Sequence, residues 1–108
     1  MKPLKFDQSL IESILSGSKT TTWRLFDDKN LSEGDELDCI NKQTGESFAH
    51  AAITRVFEKP LGEVTDEDYR GHERYTSDQE MYETFSKFYN RPVDKTTLVK
   101  IVEFKLVK

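Results

Sequence analysis

The spacing of apolar residues changes abruptly at Gly17, and this change constrains the fold more than any other feature of the chain. Before Gly17, four apolar residues recur at the spacing of one helix face, namely Leu10, Ile11, Ile14 and Leu15. After it, the run from Thr20 to Leu25 is rich in β-branched residues and alternates with a period of two. The pattern predicts a helix that starts after an N-cap at Asp7, ends near Ser16 and is followed at once by a strand.

The predicted strand divides its side chains between two faces. Trp23 and Leu25 share one face, which we expect to pack in the core. Thr22 and Arg24 share the other face, and Lys19 precedes them from the helix end. An amine, a hydroxyl and a guanidinium are therefore predicted to lie on the same side of the strand. If that side faces a cleft, the cleft is the candidate reactive site.

The rest of the chain predicts more strands than helices. Strand patterns occupy 4–6, 36–41, 47–57 and 96–107, while helix starts lie at 65–68 and 77–80, the second being a capping box. The predicted order of elements is β-α-β-β-β-α-α-β, in which strands and helices do not alternate regularly as they do in a parallel α/β sheet. The predicted class is therefore α+β, a small and mostly antiparallel barrel flanked by helices. We expect residues 1–108 to form a single domain. In the last strand the apolar pattern follows odd positions up to Ile101 and even positions from Val102 onward. This change predicts a β-bulge or burial on both faces.

Charge and composition limit the kinds of ligand and the cellular location that we expect for this protein. The net charge is −4 and no block of Lys and Arg occurs, so a small neutral substrate fits better than non-specific binding of nucleic acid. Cys39 lies in an alternating apolar segment, and as the single cysteine it is predicted to be buried and inert. His50 and His72 are too few for a metal site, and we expect neither metal nor cofactor. The chain lacks the roughly 18 consecutive apolar residues of a membrane span and an apolar signal segment, which predicts a cytoplasmic protein without a membrane partner.

Four segments together resemble the ASCH domain, a member of the PUA-like barrel superfamily. They are 15–24, 31–37, 61–73 and 101–104; the first carries a Gly-x-Lys-x-x-x-x-Arg element and the second a Gly-Asp pair. The resemblance implies a PUA-like β-barrel. Within this family the chain is most similar to small bacterial enzymes that hydrolyse N4-acetylcytidine to cytidine and acetate. Their catalytic set is a lysine, a threonine three residues later and a glutamate from the later helical region, which match Lys19, Thr22 and Glu73 here.

The resemblance implies an amide hydrolysis in which these three residues act as nucleophile, general base and general acid. In one arrangement neutral Lys19 deprotonates Thr22, which attacks the acetyl carbonyl, while Glu73 protonates the N4 leaving group and later activates water. An exposed lysine has a pKa of about 10.4, so this base role requires burial or a neighbouring cation such as Arg24. In the other arrangement Glu73 is the base and Lys19 stabilises the oxyanion. The sequence leaves both open.

Other residues are candidates for holding the substrate. Arg24 is predicted to bind the oxyanion or orient the substrate, with an ion pair to Asp27, Asp28 or Asp35 as the structural alternative. Trp23 also belongs to the predicted substrate-binding set. Tyr69 and Tyr75 are candidates for stacking on a base, although aromatic residues of this kind also pack under helices.

Two other classes of function compete with the hydrolase. One is an RNA-binding or RNA-cleaving ASCH module, for which scattered basic residues would have to assemble on one face: Lys2, Lys5, Lys19, Arg24, Lys100 and Lys105. The other is a regulator that senses a nucleoside or RNA without turnover. We expect a monomer whose partner is a small nucleoside, with RNA as the other candidate ligand.

Overall fold

A computed structural model describes residues 1–27, 29–72 and 74–107. Within these ranges the chain forms five strands and two α-helices, together with three short 3-10 turns. The strands and helices are β1 (Lys2–Phe6), α1 (Ile11–Ser16), β2 (Thr21–Leu25), β3 (Glu36–Asn41), β4 (Ser47–Pro60), α2 (Asp78–Tyr89) and β5 (Leu98–Val107). No helix in the described ranges is long and apolar enough to cross a membrane.

The five strands form one mixed, curled sheet in the order β1-β3-β4-β5-β2. β1 runs parallel to β3, and the other three pairs are antiparallel. The predicted α+β class is confirmed, and the sheet is a half-barrel with two helices, consistent with the PUA-like ASCH fold. β1 and β2 are therefore the two edges of the sheet, where backbone groups need partners from outside it.

Strand β5, which lies between β4 and the edge strand β2, is buried on both faces. Val99 and Ile101 pack with Trp23 under α2, whereas Val102 and Phe104 pack with β1 and α1 in a second hydrophobic cluster. The parity change predicted after Ile101 thus corresponds to a sheet with a core on each side. The register slip lies opposite, in β4, between Ile53 and Arg55.

The end of α1 and the start of α2 follow the predicted caps, whereas Asp7 caps the 3-10 turn Gln8–Leu10 that precedes α1. α1 ends at Ser16, and Gly17 has φ 85°, the left-handed conformation that favours glycine. Ser77 caps α2 by accepting a hydrogen bond from the Glu80 backbone N–H at 3.1 Å. Asn90 ends α2 with φ 54°.

The prediction of a helix starting at 65–68 is wrong. Only a three-residue 3-10 turn, Glu67–Tyr69, forms there. The Asp68 carboxylate accepts from the Thr65 backbone N–H at 2.8 Å and lies 2.7 Å from the Lys59 amine, so it caps a short turn instead of facing solvent on a longer helix. The segment before α2 consequently remains a loop that is free to pack on β2.

Candidate functional site

Lys19 is buried at the junction between α1 and β2. Its backbone N–H donates to the Ser13 carbonyl at 3.0 Å, which turns the chain back across the helix end. The residue is only 5% exposed, and its Nζ donates to the Thr21 carbonyl at 2.9 Å. Lysine is almost never fully buried without partners, because transferring an ammonium from water is costly.

The loop before α2 is fastened to the start of β2 through Gly71. The Gly71 carbonyl accepts from the Thr20 and Thr21 backbone N–H groups at 2.9 and 3.2 Å, and Thr21 Oγ1 donates to the Arg70 carbonyl at 3.0 Å. Gly71 has φ 74°, and a Cβ there would lie 2.0 Å from Thr20 Oγ1. A glycine is therefore required for this approach, which delivers His72 to the reactive segment.

A cavity of about 280 Å³ lies between the two edge strands of the half-barrel and beneath α2. β1 contributes Lys5 and Phe6, and β2 contributes 22–24. Lys19, His72 and Tyr75 line it as well, and α2 adds Phe85, Phe88 and Tyr89. Its volume lies near the lower end of the range for ligand sites, about 300–1,000 Å³. The space therefore matches a small ligand.

Aromatic rings form one wall of this cavity. The Trp23 and His72 rings stack with centroids 4.3 Å apart and planes 20° apart. Tyr75 continues the series at 6.3 Å from His72, and Phe85 follows at 5.9 Å from Tyr75. Trp23 Nε1 is buried and has no hydrogen-bond partner within the described part of the chain. The wall offers the stacking surface that suits a planar heteroaromatic ligand.

Arg24 bridges the two edges of the sheet. Its Nη2 donates to the Lys5 carbonyl of β1 at 2.9 Å, and its guanidinium lies 5.0 Å from the Phe6 ring centroid. Two of the acids considered as its ion-pair partners are held elsewhere, since Asp27 lies 2.7 Å from Lys100 and Asp35 lies 2.7 Å from Lys2. The third, Asp28, is outside the described residues. The Arg24 guanidinium lies beside the cavity, in a geometry set by its bond to β1.

The structure brings most of the predicted site residues together. Lys19, Thr22, Trp23, Arg24 and Tyr75 all line the cavity, and Thr22 is 5% exposed.

Two predicted site residues are placed otherwise. Tyr69 packs behind Trp23, with ring centroids 4.8 Å apart, and its hydroxyl lies 3.7 Å from the Met81 sulfur, so it is not part of the lining. Glu73 lies outside the described residues.

Sequence reasoning missed several residues of the lining. His72 was considered only as a metal ligand, and nothing in its local pattern indicates that it stacks on Trp23. Lys42 comes from the turn between β3 and β4, and its amine lies 4.3 Å from the centroid of the Phe88 ring. Phe88, in the last turn of α2, is 53% exposed and also lines the cavity. Only contacts between distant segments reveal these roles.

The fold is shared with several solved structures. A protein of Enterococcus faecalis in the DUF984 family matches with a TM-score of 0.76 and 19% identity, over 92% of this chain and 70% of that chain. An ASCH domain from Lactobacillus crispatus matches with a TM-score of 0.69 and 17% identity, over 91% and 70%. A variant of the ASCH protein from Zymomonas mobilis matches with a TM-score of 0.63 and 11% identity, over 95% and 67%. No family model and no curated protein sequence matches the chain. At these identities the comparisons show an ASCH-like fold.

Proposed function

We propose that this protein is an amidohydrolase that cleaves the N4-acyl amide of N4-acetylcytidine, with Thr22 as nucleophile and Lys19 and Glu73 as base and acid. One observation carries the proposal. Lys19 and Thr22, the amine and the hydroxyl of the predicted set, are each 5% exposed and line the same cavity. A general base and a hydroxyl that share one cavity are the two groups needed to activate an alcohol as a nucleophile. The ASCH-like fold supports the same assignment.

The reaction runs in two stages. Neutral Lys19 takes the proton of Thr22 Oγ1 as that oxygen bonds to the acetyl carbon, and the carbonyl oxygen becomes an oxyanion beside Arg24. The tetrahedral intermediate then breaks its bond to N4, which leaves as the cytosine amino group after receiving a proton from Glu73. Water attacks the acetyl-threonine ester as Glu73 accepts its proton, and the ester C–O bond then breaks as Lys19 returns its proton to Thr22 Oγ1. The product is acetic acid, which ionises to acetate. With the roles exchanged, Glu73 is the base and protonated Lys19 stabilises the oxyanion.

The aromatic wall gives the proposal its specificity for a nucleobase. A cytosine ring stacks on side chains of this wall such as His72 or Tyr75, behind which Trp23 lies, and base–aromatic stacking contributes about 1–3 kcal/mol per base. Binding of the remote ring holds the acetyl group near Thr22, which turns the attack into an effectively intramolecular step.

The direct test is incubation of the purified protein with N4-acetylcytidine, followed by chromatography for cytidine. We expect Thr22→Val to lower kcat by at least about 100-fold, because it removes the nucleophilic oxygen and keeps the shape of the side chain. Thr22→Ser retains the oxygen and is expected to keep measurable turnover. Lys19→Ala and Glu73→Gln are expected to lower kcat by orders of magnitude.

Thr54→Val is the matched control, since Thr54 is an exposed strand threonine outside the cavity. Full turnover by folded Thr22→Val, checked by circular dichroism, would exclude Thr22 as nucleophile.

A binding module for RNA is the second candidate, and one surface observation favours it. The two exposed phenyl rings of Phe26 and Phe88 each lie under a cation, with Arg91 at 4.4 Å and Lys42 at 4.3 Å from the ring centroids. Tyr89 contacts both rings, at 5.5 and 4.9 Å. Aromatic rings interleaved with cations are typical of single-strand binding surfaces. Retention of short RNA without any hydrolysis of N4-acetylcytidine would favour this candidate.

A further inference from the structure

We propose that the mouth of the cavity binds a phosphate, so that the preferred ligand is a phosphorylated cytidine and not the free nucleoside. The mouth is defined by Lys5, Asp7, Arg24 and Lys42, all of which line the cavity. The inference rests on the proposed function for the cytidine part of the ligand. The phosphate part rests on charge and geometry at the mouth alone.

Lys5 and Lys42 supply two amines that form no salt bridge among the described residues, although the charge of Lys42 helps to lower the pKa of Asp7. Both residues are exposed, and neither amine lies within 4 Å of a carboxylate in the ranges 1–27, 29–72 and 74–107. Lys2, Lys59 and Lys100 differ, since each lies 2.7 Å from an aspartate. The two amines at the mouth are therefore able to bind an external anion without first breaking an ion pair.

Arg24 adds a third cation whose position is set by the fold. The hydrogen bond from its Nη2 to the Lys5 carbonyl places the guanidinium next to the Lys5 backbone. A guanidinium held in place loses less side-chain entropy when it binds a phosphate, and its planar donors match phosphate oxygens. Arg24 and Lys5 thus form a cationic pair on the two facing edges of the sheet.

Asp7 is the carboxylate among the described residues that define the mouth. It accepts hydrogen bonds from the Ser9 hydroxyl at 2.6 Å, the Ser9 backbone N–H at 3.0 Å and Gln43 Nε2 at 2.7 Å. Among the described residues of the mouth, Lys5 and Lys42 outnumber Asp7, and the Arg24 guanidinium adjoins them. The whole chain carries −4, so the positive mouth is a local feature that attracts anions to one place.

Trp23 provides a binding assay that does not depend on turnover. It is the single tryptophan of the chain, and its ring lines the cavity. Its intrinsic fluorescence is therefore expected to change when the cavity is occupied. Cytidine, cytidine 5′-monophosphate, cytidine 3′-monophosphate and a short cytidine-containing RNA are titrated in turn at low and high salt.

We expect at least one phosphorylated ligand to bind about tenfold more tightly than cytidine at low salt, and to lose most of this advantage at high salt. A gain for a mononucleotide identifies a terminal phosphate as the bound group. A gain confined to the RNA identifies a phosphodiester of the backbone. Both results support the proposal, whereas equal affinity of cytidine and all three phosphorylated ligands overturns it.

Substitutions at the mouth test whether Lys5 and Lys42 cause the tighter binding of phosphorylated ligands. Lys5→Gln combined with Lys42→Gln is expected to abolish the phosphate advantage while leaving the affinity for cytidine within about twofold of the unchanged protein. Lys105→Gln is the control, because Lys105 is also an exposed strand lysine but does not line the cavity. A phosphate advantage that survives in the double variant refutes the assignment to the mouth.

The two proposals fail in different ways. A phosphate advantage in binding without any hydrolysis of N4-acetylcytidine or its 5′-monophosphate leaves the phosphate site standing and refutes the hydrolase. Hydrolysis with equal kcat/KM for these two compounds, and no phosphate advantage in binding, leaves the hydrolase and refutes the phosphate site.

Discussion

The contact between Gly71 and Thr20 yields the sharpest test of how the site is assembled. Replacing Gly71 by alanine places a Cβ 2.0 Å from Thr20 Oγ1 at a residue with φ 74°. The left-handed conformation alone costs a non-glycine residue about 1–2 kcal/mol. Relieving the overlap costs about 1–3 kcal/mol more, because the loop must move from β2 and weaken the hydrogen bonds that the Gly71 carbonyl accepts. We therefore expect Gly71→Ala to lower the free energy of unfolding by about 2–5 kcal/mol.

Gly45→Ala separates the two contributions. Gly45 has φ 78°, and a Cβ there has nothing within 4 Å in the described structure. This control is expected to cost only the conformational part, about 1–2 kcal/mol. Urea denaturation of both variants gives the two values, and the difference between them is the cost of the close approach.

A double-mutant cycle assigns the overlap to one atom. Thr20→Ala removes the Oγ1 atom and leaves the Thr20 backbone N and Cβ as the nearest atoms, at 3.2 and 3.3 Å. We expect Gly71→Ala to cost about 1–3 kcal/mol less in the Thr20→Ala background than alone. Equal destabilisation by Gly71→Ala and Gly45→Ala, or no coupling with Thr20, would refute the reasoning. Hydrolysis by the folded fraction is expected to fall about 10-fold to 100-fold in Gly71→Ala, because the loop that carries His72 shifts.

Three further outcomes are expected. Burial raises the pKa of the Cys39 thiol to about 11, so a thiol reagent at pH 8 is expected to modify Cys39 only after unfolding in urea, and rapid labelling of the native protein would contradict this. Burial opposes ionisation of Asp27, but the hydrogen bond from Lys100 and two backbone N–H groups outweigh it and lower its pKa. The stability that this carboxylate contributes is therefore present above about pH 4 and is lost as the pH falls further. Asp27→Asn is expected to lower the free energy of unfolding by about 3 kcal/mol at pH 7. In urea denaturation at a series of pH values, the variant is also expected to lose less stability than the unchanged protein as the pH falls below about 4. Phe88→Ser is expected to change the free energy of unfolding by no more than about 0.5 kcal/mol, since Phe88 is 53% exposed, while retention of RNA on a column falls if the second candidate function holds.

Local patterns predicted most of the strands and helices correctly. Gly17 and Ser77 carry the chemistry of a helix end and a helix start within a few neighbouring residues, and both caps form. The segment at 65–68 has a similar pattern, but Asp68 is bound by Lys59 of β4 and the helix does not continue. A cap signal is local, whereas the decision to continue a helix depends on which distant groups compete for the capping side chain.

The sequence predicted those features of the site that depend on neighbouring residues and missed those that depend on distant ones. Period-two alternation placed Thr22 and Arg24 together, and the resemblance to the ASCH domain singled out Lys19. Nothing in the sequence shows that Tyr69 lies behind Trp23 or that His72 lies on the Trp23 ring. Those positions follow from hydrogen bonds between the loop at 70–72 and the start of β2, groups separated by about fifty residues in the chain.

The amino-acid sequence by itself determined the α+β class, the helix-to-strand junction at Gly17 and the identity of an amine and a hydroxyl three residues apart, because caps and side-chain periodicity depend on neighbours within one or two turns. Only the tertiary structure decided that the sheet stays open as a half-barrel, that its two edges face each other across a cavity, and that cations from β1, β2 and the turn after β3 gather at the mouth. These features arise where edge backbone groups find side-chain partners, as the Lys5 carbonyl does in Arg24 and the Leu25 N–H does in the Tyr89 hydroxyl. Such pairings join segments far apart in the chain, and no local pattern encodes them.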